Sequence, residues 1–196
     1  MSARIKWNWF DPNLYVLNLP HPVDHKLATK LFQQALDLEE AGCYQAAIEH
    51  YHQALLWHPE LVSALVNIAN LLWRLKRADE AEKYCRQALR VDPGYYLAHY
   101  NLGCCLEELG RYTKAIWYYR ETLRLKPRHA DSYYGLATAY HALGDIDEAL
   151  KYYRLYKKRN RKAKCPWRQR AIDAIDWLQS VKAMGFKTVT VMPLAS

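Results

Sequence analysis

The chain has 196 residues, 51% of them hydrophobic, with 7 Trp and 16 Tyr, enough apolar and aromatic material for an ordered core, which excludes wholesale disorder. No uninterrupted run of roughly 18 apolar residues occurs, so no segment is expected to span a bilayer. The net charge of +8 is local: nine of the 28 cations lie between Arg154 and Arg170 with no acid among them, and the remainder of the chain is close to neutral.

In chain order, the first 26 residues carry Trp7, Trp9, Phe10, Leu14, Tyr15, Val16 and Leu17. Asn, Asp and Pro interrupt them before the apolar core of a secretory leader can form, so no signal peptide is expected. Residues 1–27 read as an aromatic leader with two uses open. It caps the first hairpin, or Trp7, Trp9 and Phe10 act as a stand-in ligand in the groove of this chain or of a neighbouring copy, a route to self-association.

A period then sets in. Pro59, Pro93 and Pro127 stand 34 residues apart, and Ala47, Ala81, Ala115 and Ala149 keep the same step. Taking the prolines as repeat ends gives segments 28–61, 62–95, 96–129 and 130–163, each read as two helices. In the third, Leu102, Leu106 and Leu109 recur at helical spacing, Gly110 breaks the pattern, and Ile116, Tyr119, Leu123 and Leu125 carry a second helix to Pro127. The turn glycine recurs at Gly42, Gly110 and Gly144. Lys76 stands there in the second segment and forgoes the left-handed freedom of glycine at a cost of about 1 kcal/mol. The fourth segment has Arg161 where proline is expected and runs on through Tyr156 into the basic stretch. After Cys165, Pro166 suits a first helical position, and Ile172, Ile175, Leu178 and Val181 form a stripe that Gly185 ends. This predicts a capping helix over 164–185, with Arg168, Arg170, Asp173, Asp176 and Lys182 on its outer face and a tail over 186–196.

A regular step of this length predicts stacked helical hairpins, none of which buries its apolar face without a neighbour. The motif order is that of a known family. The third segment shows His99, Leu102, Gly103, Leu106, Ala115, Tyr119 and Pro127, and the fourth shows Tyr133, Leu136, Ala137, Tyr140, Ala149 and Tyr153. The first shows Leu31, Ala35, Leu38, Ala47, Tyr51, Ala54 and Pro59, and in the second Ala69, Ala81, Ala88 and Pro93 match while Cys85 replaces the aromatic. In these residues the chain resembles a tetratricopeptide repeat protein. The resemblance implies an all-α fold, a right-handed superhelical α-solenoid of antiparallel helix hairpins, whose first helices line a groove that holds a peptide or helix of a partner protein.

Carried over residue by residue, the groove would take Phe32 and Leu36 from the first repeat and Val66, Asn67, Asn70, Trp73 and Arg74 from the second. The third offers Tyr100, Asn101, Cys104 and Glu108, the fourth Tyr134, Thr138 and His141, with Glu107 and Glu108 as an acidic rim. Asparagine can donate to and accept from a peptide backbone, while Trp73, Tyr100 and Tyr134 supply apolar area. One subfamily clamps the C-terminal carboxylate of heat-shock chaperones with Lys, Asn, Asn, Lys and Arg. Here Asn70 and Asn101 match, but Asp131 and Gly135 stand where the last two cations belong, and Phe32 and Leu36 fail in the other register, so chaperone-tail binding is not expected.

Catalytic and metal chemistry find no constellation. Cys43, Cys85, Cys104, Cys105 and Cys165 form no C-x-x-C pair and read as reduced, mostly buried residues. The eight histidines make no metal-ligand set, and every glycine has an architectural role, which leaves no phosphate-cradling loop. The expectation is a non-enzymatic, cofactor-free, metal-free cytoplasmic adaptor or scaffold. The alternative is a nucleic-acid or anionic-surface binder working through Arg154, Lys157, Lys158, Arg159, Arg161, Lys162, Lys164, Arg168 and Arg170.

Overall fold

The computed structural model describes residues 23–160 and 165–185. The expectations placed on Trp7, Trp9 and Phe10, on Arg161, Lys162 and Lys164, and on the tail after Gly185 lie outside the described residues. Those residues form helices α1 (His25–Glu40), α2 (Tyr44–Trp57), α3 (Val62–Arg74), α4 (Ala78–Val91), α5 (Tyr96–Glu108), α6 (Tyr112–Leu125), α7 (Ala130–Ala142), α8 (Ile146–Arg159) and α9 (Pro166–Ala183), with no strand among them. None of these helices is long and apolar enough to cross a membrane. The chain divides into two compact units at Ile68 and Ala69, within α3.

Four turns share one device. After α1 the amides of Gly42 and Cys43 donate to the carbonyls of Glu39 (3.0 Å) and Leu38 (2.8 Å), closing a left-handed helix terminus. The same pair of bonds recurs from Lys76 and Arg77 after α3, from Gly110 and Arg111 after α5, and from Gly144 and Asp145 after α7. The geometry requires positive φ, observed at Gly42 (77°), Gly110 (70°) and Gly144 (76°), and imposed on Lys76 at 62°. At the far ends, proline follows α2, α4 and α6 within two residues and cannot continue a helix. The hairpin α7–α8 stops at the equivalent place without proline. There the Asn160 amide donates to the Tyr156 carbonyl (2.7 Å) and its side-chain amide to the Tyr156 hydroxyl (2.7 Å).

In the first unit Ala28 and Ala35 of α1 meet Ala47, Ile48, Tyr51 and Ala54 of α2 in a buried seam. Asp24 caps α1 by accepting from the Leu27 amide at 2.9 Å. In the second unit α4 to α9 pack in sequential order, each against the next. Small residues at helix crossings let backbones approach: Ala81, Ala115 and Ala149 are fully buried. The closest approach surrounds Tyr119 of α6. A Cβ added to Gly103 of α5 would sit 2.6 Å from its ring, and one added to Gly135 of α7 would sit 2.5 Å from it. Two glycines, set two residues out of step with the 34-residue period, therefore hold one aromatic ring between consecutive hairpins. The last core layer joins Tyr133, Ile146, Leu150, Tyr153 and Tyr156 to Ala171, Ile175 and Leu178, so α9 closes the apolar side of α7–α8.

Two substitutions should move stability in opposite directions. Gly135→Ala gains about 1 kcal/mol of helix propensity but displaces a ring packed on both faces, which costs about 1–3 kcal/mol, so the net change is destabilising. Lys76→Gly relieves about 1–2 kcal/mol of left-handed strain and loses only the solvent-exposed Lys76–Glu108 pair (3.1 Å), worth about 0–1 kcal/mol, so it should stabilise. Urea denaturation of the two variants checks both signs.

Candidate partner-binding face

In the second unit the first helices of successive hairpins, α5 and α7, lie side by side. Residues 34 apart then repeat along one face, and Tyr100 and Tyr134 stand level, as do Cys104 and Thr138. All four are half-buried. The ring of Tyr100 lies 6.0 Å from that of Tyr119, and the ring of Tyr134 lies 5.1–5.8 Å from those of Tyr156, Trp167 and Tyr153.

Polar groups converge within this aromatic frame. Tyr119 donates its hydroxyl to the Glu107 carboxylate at 2.6 Å. The Thr138 hydroxyl also faces that carboxylate, and the Cys104 thiol faces the hydroxyls of Tyr119 and Tyr100. Burial pushes the Glu107 carboxyl above its usual range, with Tyr119 and Thr138 opposing and the Glu108 charge adding to it. Burial likewise pushes the Cys104 thiol up to about 12, which keeps it protonated, and holds the Tyr119 phenol well above its ordinary value as a donor. Among the described residues Glu107 forms no ion pair. Its neighbour Glu108 faces outward to Lys76.

The predicted groove residues divide. In the first unit Phe32 packs its ring 5.3 Å from that of Tyr51, and Leu36 is half-buried. Asn67 donates to the Tyr51 hydroxyl (2.9 Å), which donates to Glu39 (3.0 Å), so this asparagine already orders an aromatic. Val66, like Leu65 and Ile68, is buried, with 3% exposure. In the second unit Asn70, Trp73 and Asn101 are half-buried, and Arg74 and Glu108 are exposed. His141 is 4% exposed, its Nδ1 lies 3.4 Å from the Tyr153 hydroxyl, and Trp177 of α9 covers its ring at 5.4 Å. Desolvation lowers its pKa and keeps it neutral.

Glu107 itself, read as rim from the sequence, turns inward. The signal available was its place in the period, level with Trp73 and His141. Trp167 and Trp177 are half-exposed on α9. Arg170 does not stand free on an outer face, since its guanidinium lies 4.8 Å from the Trp167 ring centre. Arg168 donates to the Asn160 carbonyl (3.2 Å), and Arg159 stacks 4.1 Å from the Tyr133 ring centre. Arg154, Lys157 and Lys158 remain exposed on α8. No cluster of three or more metal-ligating side chains occurs among the described residues.

The inward carboxylate has a stability consequence of fixed sign. The folded carboxyl titrates above its ordinary 4.5, so the unfolded chain releases that proton first. Stability from this group is complete below that value and is lost as pH rises through the folded pKa. Glu107→Gln, which still accepts from Tyr119, should therefore raise Tm at about pH 7.5, and the difference from wild type should vanish near about pH 4. Thermal unfolding at the two pH values reads both.

Comparisons with known proteins agree with this architecture. Two family models, each described as Tetratricopeptide repeat, match residues 60–128 and 100–163, together more than half of the chain. No curated protein matches the sequence. Among solved structures, the first TPR of Spaghetti (RPAP3), bound to HSP90 peptide SRMEEVD, superposes with a TM-score of 0.60 at 26% identity, over 62% of this chain and 96% of that one. A Thermobaculum terrenum O-GlcNAc transferase gives 0.64 at 25% identity over 68% of this chain, but the likeness covers only 26% of that enzyme. MamA gives 0.61 at 18% identity over 85% and 99%, a likeness of fold alone. With hairpins, turns and interlocked glycines of this pattern, the chain belongs to the tetratricopeptide repeat family.

Proposed function

We propose that the chain is a non-catalytic adaptor or assembly scaffold of the cytoplasm, with residues 28–163 as four repeats and 164–185 as their cap. On this reading it holds a segment of a partner protein on the face made by α5 and α7. The observation that carries the proposal is the meeting of Tyr100, Cys104, Glu107, Tyr134 and Thr138 in one partly open patch. Aromatic area with a few convergent polar groups is the composition of a recognition surface, in which rings supply affinity and polar atoms set register. Tetratricopeptide repeats are generally non-catalytic, and the Spaghetti repeat at 26% identity is bound to a peptide, which supports a protein segment as the ligand class.

An acidic chaperone tail suits this face poorly. Glu107 and Glu108 on α5 and Asp131 on α7 would oppose it, and no longer side chain fits at Gly135 without moving Tyr119. A photo-crosslinking residue introduced at Thr138 should trap a partner protein in cells of the source organism, while the same residue at the exposed Arg120 should not. Adducts from Arg120 alone would overturn the assignment.

A second reading rests on the exposed Arg154, Lys157 and Lys158 of α8 and on the Arg170–Trp167 stack of α9, groups of the kind that suit a polyanion. If that surface is the working one, affinity for a single-stranded oligonucleotide should fall steeply between about 50 and 200 mM salt. On the adaptor reading only weak binding is seen at either salt concentration.

A further inference from the structure

The α5–α7 face carries a charge as well as an apolar frame, and among the described residues that charge has no ionic counterpart. Glu107 is half-buried where α5 meets α7, bonded by the Tyr119 hydroxyl and faced by Thr138, and it forms no ion pair among the described residues. Among the described residues Lys76 pairs with Glu108 and Arg170 stacks on Trp167. A carboxylate taken out of water is ordinarily retained only with a partner, because its desolvation is costly. Here the Glu107 charge reaches both Tyr100, whose ring also meets His129 at 4.6 Å, and Tyr134, and aromatic rings attract cations as well as apolar groups. The exposed Asp131, whose charge reaches Tyr100, adds to the same negative potential.

We infer that the missing counterpart belongs to the partner, and that the protein segment held on this face inserts an arginine or lysine side chain between Tyr100 and Tyr134 onto the Glu107 carboxylate. This rests on the protein-binding function proposed above and deepens it by naming the chemistry of the anchor. The stem of the side chain packs on the rings, and the cationic head bonds the carboxylate. Destabilising burial of Glu107 in the free chain is then the counterpart of its use in the complex.

The test is a selection from a phage-displayed library of short random peptides on the intact chain, followed by titration of selected peptides with amide shifts as the map. Peptides shifting α5 and α7 should be enriched in Arg or Lys. Replacing that one cation by Gln in the peptide should weaken binding about tenfold, as the loss of a charge-assisted hydrogen bond does. Glu107→Gln should cost the same factor, and the two changes together no more than either. The peptide substitution needs no altered protein, and thermal unfolding verifies that the Glu107 variant folds. Peptides that shift α5 and α7 yet tolerate both substitutions would overturn the cationic anchor and leave the binding face in place. Peptides that shift neither helix would overturn both. Peptides that bind only a chain lacking residues 1–22 would assign the face to the protein's own leader, against the partner proposed.

Discussion

One aromatic ring between two glycines sets the geometry of the second unit. Tyr119 fills the space left by Gly103 on one helix and Gly135 on the next, so the separation of α5 and α7 is fixed by the thickness of a phenol. Its hydroxyl then has to be satisfied in a dry place, and it donates to the Glu107 carboxylate. Packing and polarity are thus coupled: the ring needs the glycines, the hydroxyl needs the carboxylate, and the carboxylate is thereby turned from solvent into the face between the helices.

The same position in the other hairpins is filled differently, and each choice has its own chemistry. Tyr51 donates to Glu39 and receives from Asn67, a softer version of the same bond. Cys85 replaces the ring in the next hairpin, and burial pushes its thiol well up, so it behaves as a small apolar filler. Tyr153 meets a neutral histidine, His141, under the cover of Trp177. A framework that repeats every 34 residues therefore carries a local code in the pairing of first-helix and second-helix residues. In the second unit it leaves Glu107 as the charged member of that series.

Much of this was legible in the amino-acid order. Gly42, Gly110 and Gly144 mark turns because only a residue without Cβ takes positive φ freely, and Pro59, Pro93 and Pro127 mark helix ends because proline lacks the amide the next turn needs. Lys76 was recognisable as the strained exception for the same reason. Burial was harder to read, since helical spacing ranks faces without saying how wide the covered stripe is. Val66 and His141 sit at its edges and went under. The opposite roles of Glu107 and Glu108 follow from a 100° step on a helix, yet two adjacent acids look alike until the ring of Tyr119 is placed. Arg170 shows a similar limit, because its stacking on Trp167 depends on how α9 is rotated against α7–α8.

The functional account depends on Glu107 being held inward by Tyr119 in solution. A double-mutant cycle with Tyr119→Phe and Glu107→Leu, read by denaturant unfolding at neutral pH, measures that bond most directly. The account predicts a coupling of about 1.5–3 kcal/mol, as for a buried hydrogen bond to a charged group. Additivity within about 0.5 kcal/mol would contradict it, since the two side chains would then not share the contact from which the binding face is built.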